Sequence, residues 1–199
     1  MPKLILVLLV AYGIGCLSAG FYLAKWRGVD LRSTGSGSTG ARNAGRLLGS
    51  KAFAITFILD LAKGALAVLI AHLWAPAPWA VPGALVLVVV GHVWPVQLRF
   101  QGGRGISPAV GGLLALSLPL TALTALPLLV GWAVARSFKR GGMLAVVVGP
   151  LLAWWLRTPL HLTWQDCAGF SLVALLLIGT HLKTLTAKVP NPALSPVEE

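Results

Sequence analysis

The feature that most constrains this chain is a succession of long apolar runs separated only by short basic loops. Residues 4–24, 52–73, 82–96, 106–135, 143–156 and 167–180 are almost wholly apolar, and the turns between them are glycine-, proline- or arginine-rich. Runs of this length bury every backbone N–H and C=O within their own helix, as an intramembrane segment must. Of 199 residues, 57% are hydrophobic and only 11% are charged, and the mean hydropathy is +0.84. A soluble domain of this size needs far more charge to cover its surface, so the expected fold class is an all-α integral membrane protein.

The formal charge of +11 resides in the loops, which fits positive-inside topology and anionic lipid and gives no reason to expect nucleic acid. The first run ends in no small-residue cleavage site, so it reads as a retained span. Cys16 and Cys167 lie in or beside apolar segments without metal-type spacing and read as packing residues. Pro76, Pro78 and Pro82 separate the second run from the third. The tail from Lys188 carries Pro190, Pro192 and Pro196 and reads as disordered, leaving residues 1–187 as one domain.

Residues 106–135 decide the topology. About 30 helical residues at 1.5 Å each span about 45 Å, too long for a single upright crossing of a ~30 Å core. If Pro119 divides the run into two short helices, the basic loops at 25–51, 97–104 and 136–140 share one side with Lys183 and Lys188. Lys3 and Arg157 then lie on the other side, with Lys63 inside a span. The charge asymmetry selects this arrangement: a bundle of seven transmembrane helices, N-terminus outside and C-terminus cytoplasmic. Most of the tryptophans fall near expected span ends, as an aromatic belt requires.

Two loops on that cytoplasmic face carry the candidate chemistry. The first, residues 35–46, combines Gly35, Gly37 and Gly40 with hydroxyls and with Arg42 and Arg46, which share one face if the segment is helical. Glycines here can turn backbone N–H groups around an anion; the same composition also suits a solvated inter-helix loop. The second, Gly102-Gly103-Arg104-Gly105, is weak evidence alone, but two such loops on one face fit an oxyanion site. His92, at the inner end of the third span, can bind phosphate or handle a proton, or simply donate to a backbone carbonyl. Asp60 and Lys63, three apart inside the second span, can pair along one helix face. His161 and Asp166 match the His-x-x-x-x-Asp pattern of another glycerolipid acyltransferase class, but fall on the outer face, away from both glycine loops. The chain has no metal-ligand cluster, serine-hydrolase elbow or Walker signature, so any reaction must rest on positioning and electrostatics, with no cofactor or metal.

Over nearly its whole length the chain resembles the bacterial integral-membrane acyl-phosphate:glycerol-3-phosphate acyltransferases. The match is carried by residues 35–46, by Asp60-Leu61-Ala62-Lys63-Gly64, by Gly91-His92-Val93-Trp94-Pro95-Val96 and by Phe100-Gln101-Gly102-Gly103-Arg104-Gly105. The resemblance implies acyl transfer from acyl phosphate to the 1-hydroxyl of glycerol 3-phosphate in the bacterial inner membrane, giving 1-acyl-glycerol 3-phosphate, with the donor's own phosphate assisting deprotonation. It also implies a seven-span, N-out fold and an active site on the cytoplasmic side. By resemblance, Ser36, Arg46 and Arg104 are the catalytic candidates. Gly35, Gly37, Arg42, Asn43, His92, Gly102, Gly103 and His181 are the substrate-binding candidates.

The departures are specific. The family usually has Asn at the place of Ser38, Thr at Arg42, Lys at Arg104 and Ser where Arg140 aligns. In the third motif, His181 remains while the family's Asn and Arg are replaced by Thr184 and Ala187. Such losses leave room for a catalytically degenerate paralogue that binds phosphorylated lipid precursors, and the two basic loops also admit an anion transporter. Arg42, Arg140 and Lys183 are candidate replacement cations.

Overall fold

The computed structural model describes residues 1–75 and 77–186, apart from the side chains of Phe138 and of 183–186. Pro76, Ala187, the tail from Lys188 and the side chains of Lys183 and Thr184 lie outside the described residues.

Among the described residues the chain is helical throughout, with no strand. The first apolar run is broken into α1 (Pro2–Cys16) and α2 (Ala19–Trp26), where a single helix was expected. The break at Leu17 and Ser18 orphans carbonyls that side chains from elsewhere satisfy. Lys63 Nζ donates to Gly15 O at 3.0 Å and to Leu17 O at 2.6 Å, and Gln97 Nε2 donates to Cys16 O. No local signal in the first run announces this break, because its cause is on other elements.

The first glycine loop leads into α3 (Ala41–Leu48), and Gly49, at φ +88°, turns the chain into α4 (Ser50–Trp74). Next come α5 (Ala80–Val93), a short 3-10 turn at Val96–Leu98, and α6 (Ile106–Leu116). The expected division of 106–135 occurs, but at Ser117. That residue caps α7 (Leu118–Ala135) by accepting from the Leu120 N–H, while Pro119 sits in the first turn, where its missing N–H costs nothing. Helices α8 (Phe138–Trp155) and α9 (Trp164–Thr186) complete the described chain.

Among the described residues, five helical segments are long and apolar enough to cross a membrane: Pro2–Trp26, Ser50–Trp74, Ala80–Leu98, Leu118–Ala135 and Trp164–Leu182. At 11 residues, α6 spans about 16 Å, roughly half the hydrocarbon thickness.

Small residues set the helix contacts. A Cβ on Gly64 would lie 2.0 Å from the Pro108 carbonyl, and one on Gly111 would lie 1.9 Å from the Leu61 carbonyl, so α4 and α6 meet backbone to backbone. Gly15 and Gly91 do the same for α1 and α5. Inside lipid, where no hydrophobic force drives one apolar helix onto another, such close approach supplies the packing energy. The core is built on α5, with Leu85, Val88 and Val89 fully buried against Val7, Val68, Leu113 and Val173. By contrast α7 buries only Leu120 and Thr124, and Leu126, Leu129 and Val130 face outward.

Candidate functional site

The first glycine loop is organised from within. Asp30 accepts from the Arg32 N–H at 2.9 Å and from its guanidinium at 2.7 Å. The hydrogen bonds from Arg32 hold the Asp30 carboxyl well below the usual carboxylate range, at about 2. Asn43, on α3 and 1% exposed, ties the turn together. Its Nδ2 donates to Leu31 O at 3.1 Å and Thr34 O at 3.0 Å, and its Oδ1 accepts from the Ser36 N–H at 2.9 Å. Both amide hydrogens are thus spent on the loop. Gly35 and Gly37 take φ +65° and +68°, where any side chain is strained. A Cβ on Gly35 would also strike Asn43 Oδ1 at 2.4 Å.

Two of the N–H groups that the composition offered for a cradle are used within the first loop. The Ser36 N–H points to Asn43 and the Gly37 N–H to Thr34 O at 3.3 Å. Likewise the Gly102 and Gly103 N–H groups close the end of α5, bonding Val93 O at 3.1 Å and His92 O at 3.0 Å. In a packed turn such donors need a partner, and these four find one within the protein.

The two loops meet. Thr39 N–H donates to Gly102 O at 3.2 Å, and between the loops opens a cleft of about 180 Å³ lined by Ser36, Gly37, Ser38, Val93, Trp94, Gly102, Gly103, Arg104 and Thr180. Its lining combines the hydroxyl residues Ser36, Ser38 and Thr180 and the arginine Arg104 with the apolar Val93 and Trp94. Burial first, and then the positive charges of Arg42 and Arg46, pull the Arg104 guanidinium below its ordinary value, though an arginine stays cationic through such a shift. Arg104 Nε is buried with no partner among the described residues. Residues 41–48 are helical, so Arg42 and Arg46 do share an exposed face of α3. Among the described residues, the ion pairs are Arg32–Asp30, Lys63–Asp60 and the His92–Asp60 contact. Within that set, Arg42, Arg46 and Arg104 therefore converge with no carboxylate between them. Arg104 in the lining, with Arg42 and Arg46 close enough to act on it, makes the cleft a candidate anion site.

Of the expected site residues, Ser36, Gly37, Gly102, Gly103 and Arg104 line the cleft. Gly35 and Asn43 shape its rim, and Arg42 and Arg46 add charge. His92 lies under its floor, 3% exposed, with a Cβ on Gly103 placed 2.0 Å from Nε2. His181 is buried on α9 with Nδ1 2.9 Å from Leu177 O. Its neighbour Thr180, which sequence reasoning missed, lines the cleft, its hydroxyl within reach of Leu177 O at 2.9 Å and Arg104 O at 3.3 Å. The signal available was adjacency to His181.

Asp60 and Lys63 do pair, at 3.0 Å, buried on the inner face of α4. His161 and Asp166 stand apart from the cleft. Asp166 closes a capping box at the start of α9, about 20 Å along that helix from Thr180. The N-cap Thr163 accepts from the Asp166 N–H at 3.1 Å, and the Asp166 carboxylate accepts from Thr163 N at 3.0 Å and Thr163 Oγ1 at 2.7 Å. The described residues contain no group of His, Cys, Asp and Glu that could hold a metal ion, and both cysteines are buried thiols.

Fold and site together define an integral membrane protein with a cationic, hydroxyl-lined cleft between two glycine loops. The family model for glycerol-3-phosphate acyltransferase matches residues 5–188, and the chain belongs to that family. A glycerol-3-phosphate acyltransferase of Desulfitobacterium hafniense is 37% identical over 180 residues, covering 90% of this chain and 87% of the relative. Another, from Thermus thermophilus, is 37% identical over 188 residues, covering 93% and 91%. Two crystal structures of PlsY (YgiH), an integral membrane glycerol 3-phosphate acyltransferase, superpose with a TM-score of 0.80. The glycerol 3-phosphate form is 28% identical and covers 92% of this chain and 90% of its own; the lysophosphatidic acid form is 27% identical and covers 92% and 89%.

Proposed function

We propose that this protein transfers a fatty acyl group from acyl phosphate to the 1-hydroxyl of glycerol 3-phosphate, giving 1-acyl-glycerol 3-phosphate. The observation that carries this reading is the convergence of Arg42, Arg46 and Arg104, with no carboxylate partner among the described residues, on a cleft whose walls offer the Ser36 and Ser38 hydroxyls. Family membership supplies the reaction class, and the relatives' named acceptor is a phosphate ester that such a cleft suits.

In this reading Arg46 and Arg104 clamp phosphate, and the Ser36 hydroxyl donates to a phosphate or carbonyl oxygen. Arg104 replaces a point-charge lysine with a planar fork suited to two oxygens. Gly35, Gly37, Gly102 and Gly103 let backbone and substrate approach closely, and Asn43 acts by holding the loop in shape. His92 and His181 support the site from α5 and α9. The glycerol 3-phosphate hydroxyl oxygen bonds to the acyl carbon, the bond from that carbon to the phosphate oxygen breaks, and the hydroxyl proton passes to the departing phosphate. Catalysis then comes from orientation and from charge stabilisation of the tetrahedral oxyanion. Lipid supplies the acyl chain's environment. The basic loops support a cleft on the cytoplasmic side of the inner membrane, with seven spans and the N-terminus outside.

Purified protein in detergent, given acyl phosphate and glycerol 3-phosphate, should release inorganic phosphate and form the 1-acyl product. Acyl thioester donors in place of acyl phosphate should give none. Binding of glycerol 3-phosphate without phosphate release would convert the reading to a non-catalytic paralogue.

A further inference from the structure

Lys63 stands at the junction of the broken first span, α4 and α5. An ammonium has three hydrogens and no acceptor. Around Nζ, three groups meet hydrogen-bond geometry: Gly15 O at 3.0 Å, Leu17 O at 2.6 Å and His92 Nδ1 at 2.8 Å. The Asp60 carboxylate, 3.0 Å away, balances the charge without a hydrogen bond to its Oδ1. All three hydrogens are thereby assigned, and the one aimed at His92 requires a lone pair on Nδ1. The alternative partner for Nδ1, Asp60 Oδ1, is 3.6 Å away, outside hydrogen-bond range.

An imidazole that accepts at Nδ1 carries its proton on Nε2. Nε2 is the ring atom nearest Gly103, where a Cβ would come within 2.0 Å of it. Among the described residues it makes no hydrogen bond to protein, although the residue is 3% exposed. Gly103, packed against this nitrogen, itself lines the cleft.

Resting on the reading of the cleft as a phosphate-ester site, we propose that Lys63 is a positioning residue that fixes His92 as the Nε2–H tautomer. His92 thus serves as a hydrogen-bond donor to the bound phosphate through the glycine floor, and not as the base that deprotonates the acceptor. Asp60 keeps Lys63 charged and in place. This buried Asp–Lys pair on α4, whose separate charges are costly to insert into a membrane, thereby does more than join helices.

The test uses full-length protein in detergent micelles, with histidine side chains labelled with nitrogen-15. Two-bond proton–nitrogen correlations report each ring's tautomer, and His92→Gln assigns the His92 pattern. The expected spectrum shows His92 protonated at Nε2 alone, with that signal moving when inorganic phosphate or glycerol 3-phosphate is added. Lys63→Arg, also a pure donor, should keep the tautomer. The charge-neutral pair Asp60→Asn with Lys63→Met should mix the tautomers and raise KM for glycerol 3-phosphate about tenfold, leaving kcat within about threefold, as loss of uniform binding does.

A wild-type ring protonated at Nδ1 overturns the proposal, as does an Nε2–H signal that ignores both anions. A folded double variant with the wild-type tautomer and KM overturns it as well. If that double variant does not fold, the wild-type and Lys63→Arg spectra decide. Failure to acylate glycerol 3-phosphate would remove the proposed function; the tautomer and its response to inorganic phosphate would still decide this inference.

Discussion

Thr39 N–H donates to Gly102 O at 3.2 Å, joining two glycine loops that lie more than 60 residues apart in the chain. This one backbone bond makes the cleft a joint product of both loops. Its cations come from both sides, Arg42 and Arg46 from α3 and Arg104 from the segment before α6.

Replacing Arg46 with Ala removes one of the two α3 cations that act on Arg104 in the cleft wall. Hydrogen bonds to charged groups contribute roughly 1.5–3 kcal/mol, so kcat/KM should fall about 10- to 100-fold. Steady-state assay with acyl phosphate and glycerol 3-phosphate reads this directly, and near-normal turnover would remove Arg46 from the site.

Asn43→Asp tests whether that residue acts by shape. The carboxylate cannot donate to Leu31 O and Thr34 O, so the loop should lose its fold while the helices persist. Activity should drop at least about tenfold with unchanged far-ultraviolet dichroism; full activity would show that the loop does not depend on those two bonds.

At the contact of α4 and α6, Gly111→Ala puts a methyl 1.9 Å from the Leu61 carbonyl. Backbone has no rotamer with which to yield, so the helices must separate, at a cost of about 1–3 kcal/mol. Thermal unfolding in detergent should show a lowered midpoint. Gly142→Ala, with nothing within 4 Å of the added atom, is the matched control and should unfold as wild type.

At the far end of α9, Asp166→Ala should lose a capping interaction worth about 0.5–2 kcal/mol without changing the kinetics of the folded enzyme. His161→Ala should leave both intact. A dead enzyme from either would move the reacting groups to that end of the molecule.

The Asp30 carboxyl, held at about 2 by Arg32, sets a pH dependence with a definite sign. Its folded value is depressed, so its stabilising contribution is complete above the ordinary carboxylate value near 4. That contribution is lost as pH falls through about 2. Carbon-13 titration of the aspartate side chains should show one midpoint near 2, returning to the ordinary range in Arg32→Gln. An unshifted midpoint in that variant would mean that Arg32 is not the cause.

What the sequence determined by itself was set by local rules. Apolar run lengths and the scarcity of charge established a helical membrane protein, because each intramembrane backbone group must bond within its own segment. The excess length of 106–135 required a division, and the i,i+3 spacing of Asp60 and Lys63 their pairing. The order of the glycine motifs marked the family. Tertiary structure decided the rest. The first run breaks at Leu17 because Lys63 and Gln97, on other elements, take up the carbonyls that the break exposes. Ser117 caps and starts α7, which the prolines alone did not specify. Four of the loop N–H groups, those of Ser36, Gly37, Gly102 and Gly103, are spent on Asn43, Thr34 and the end of α5, because a packed turn must satisfy such donors. Lys63, legible as one half of a helix-face pair, acquired a second partner in His92 only when packing brought α4 and α5 together.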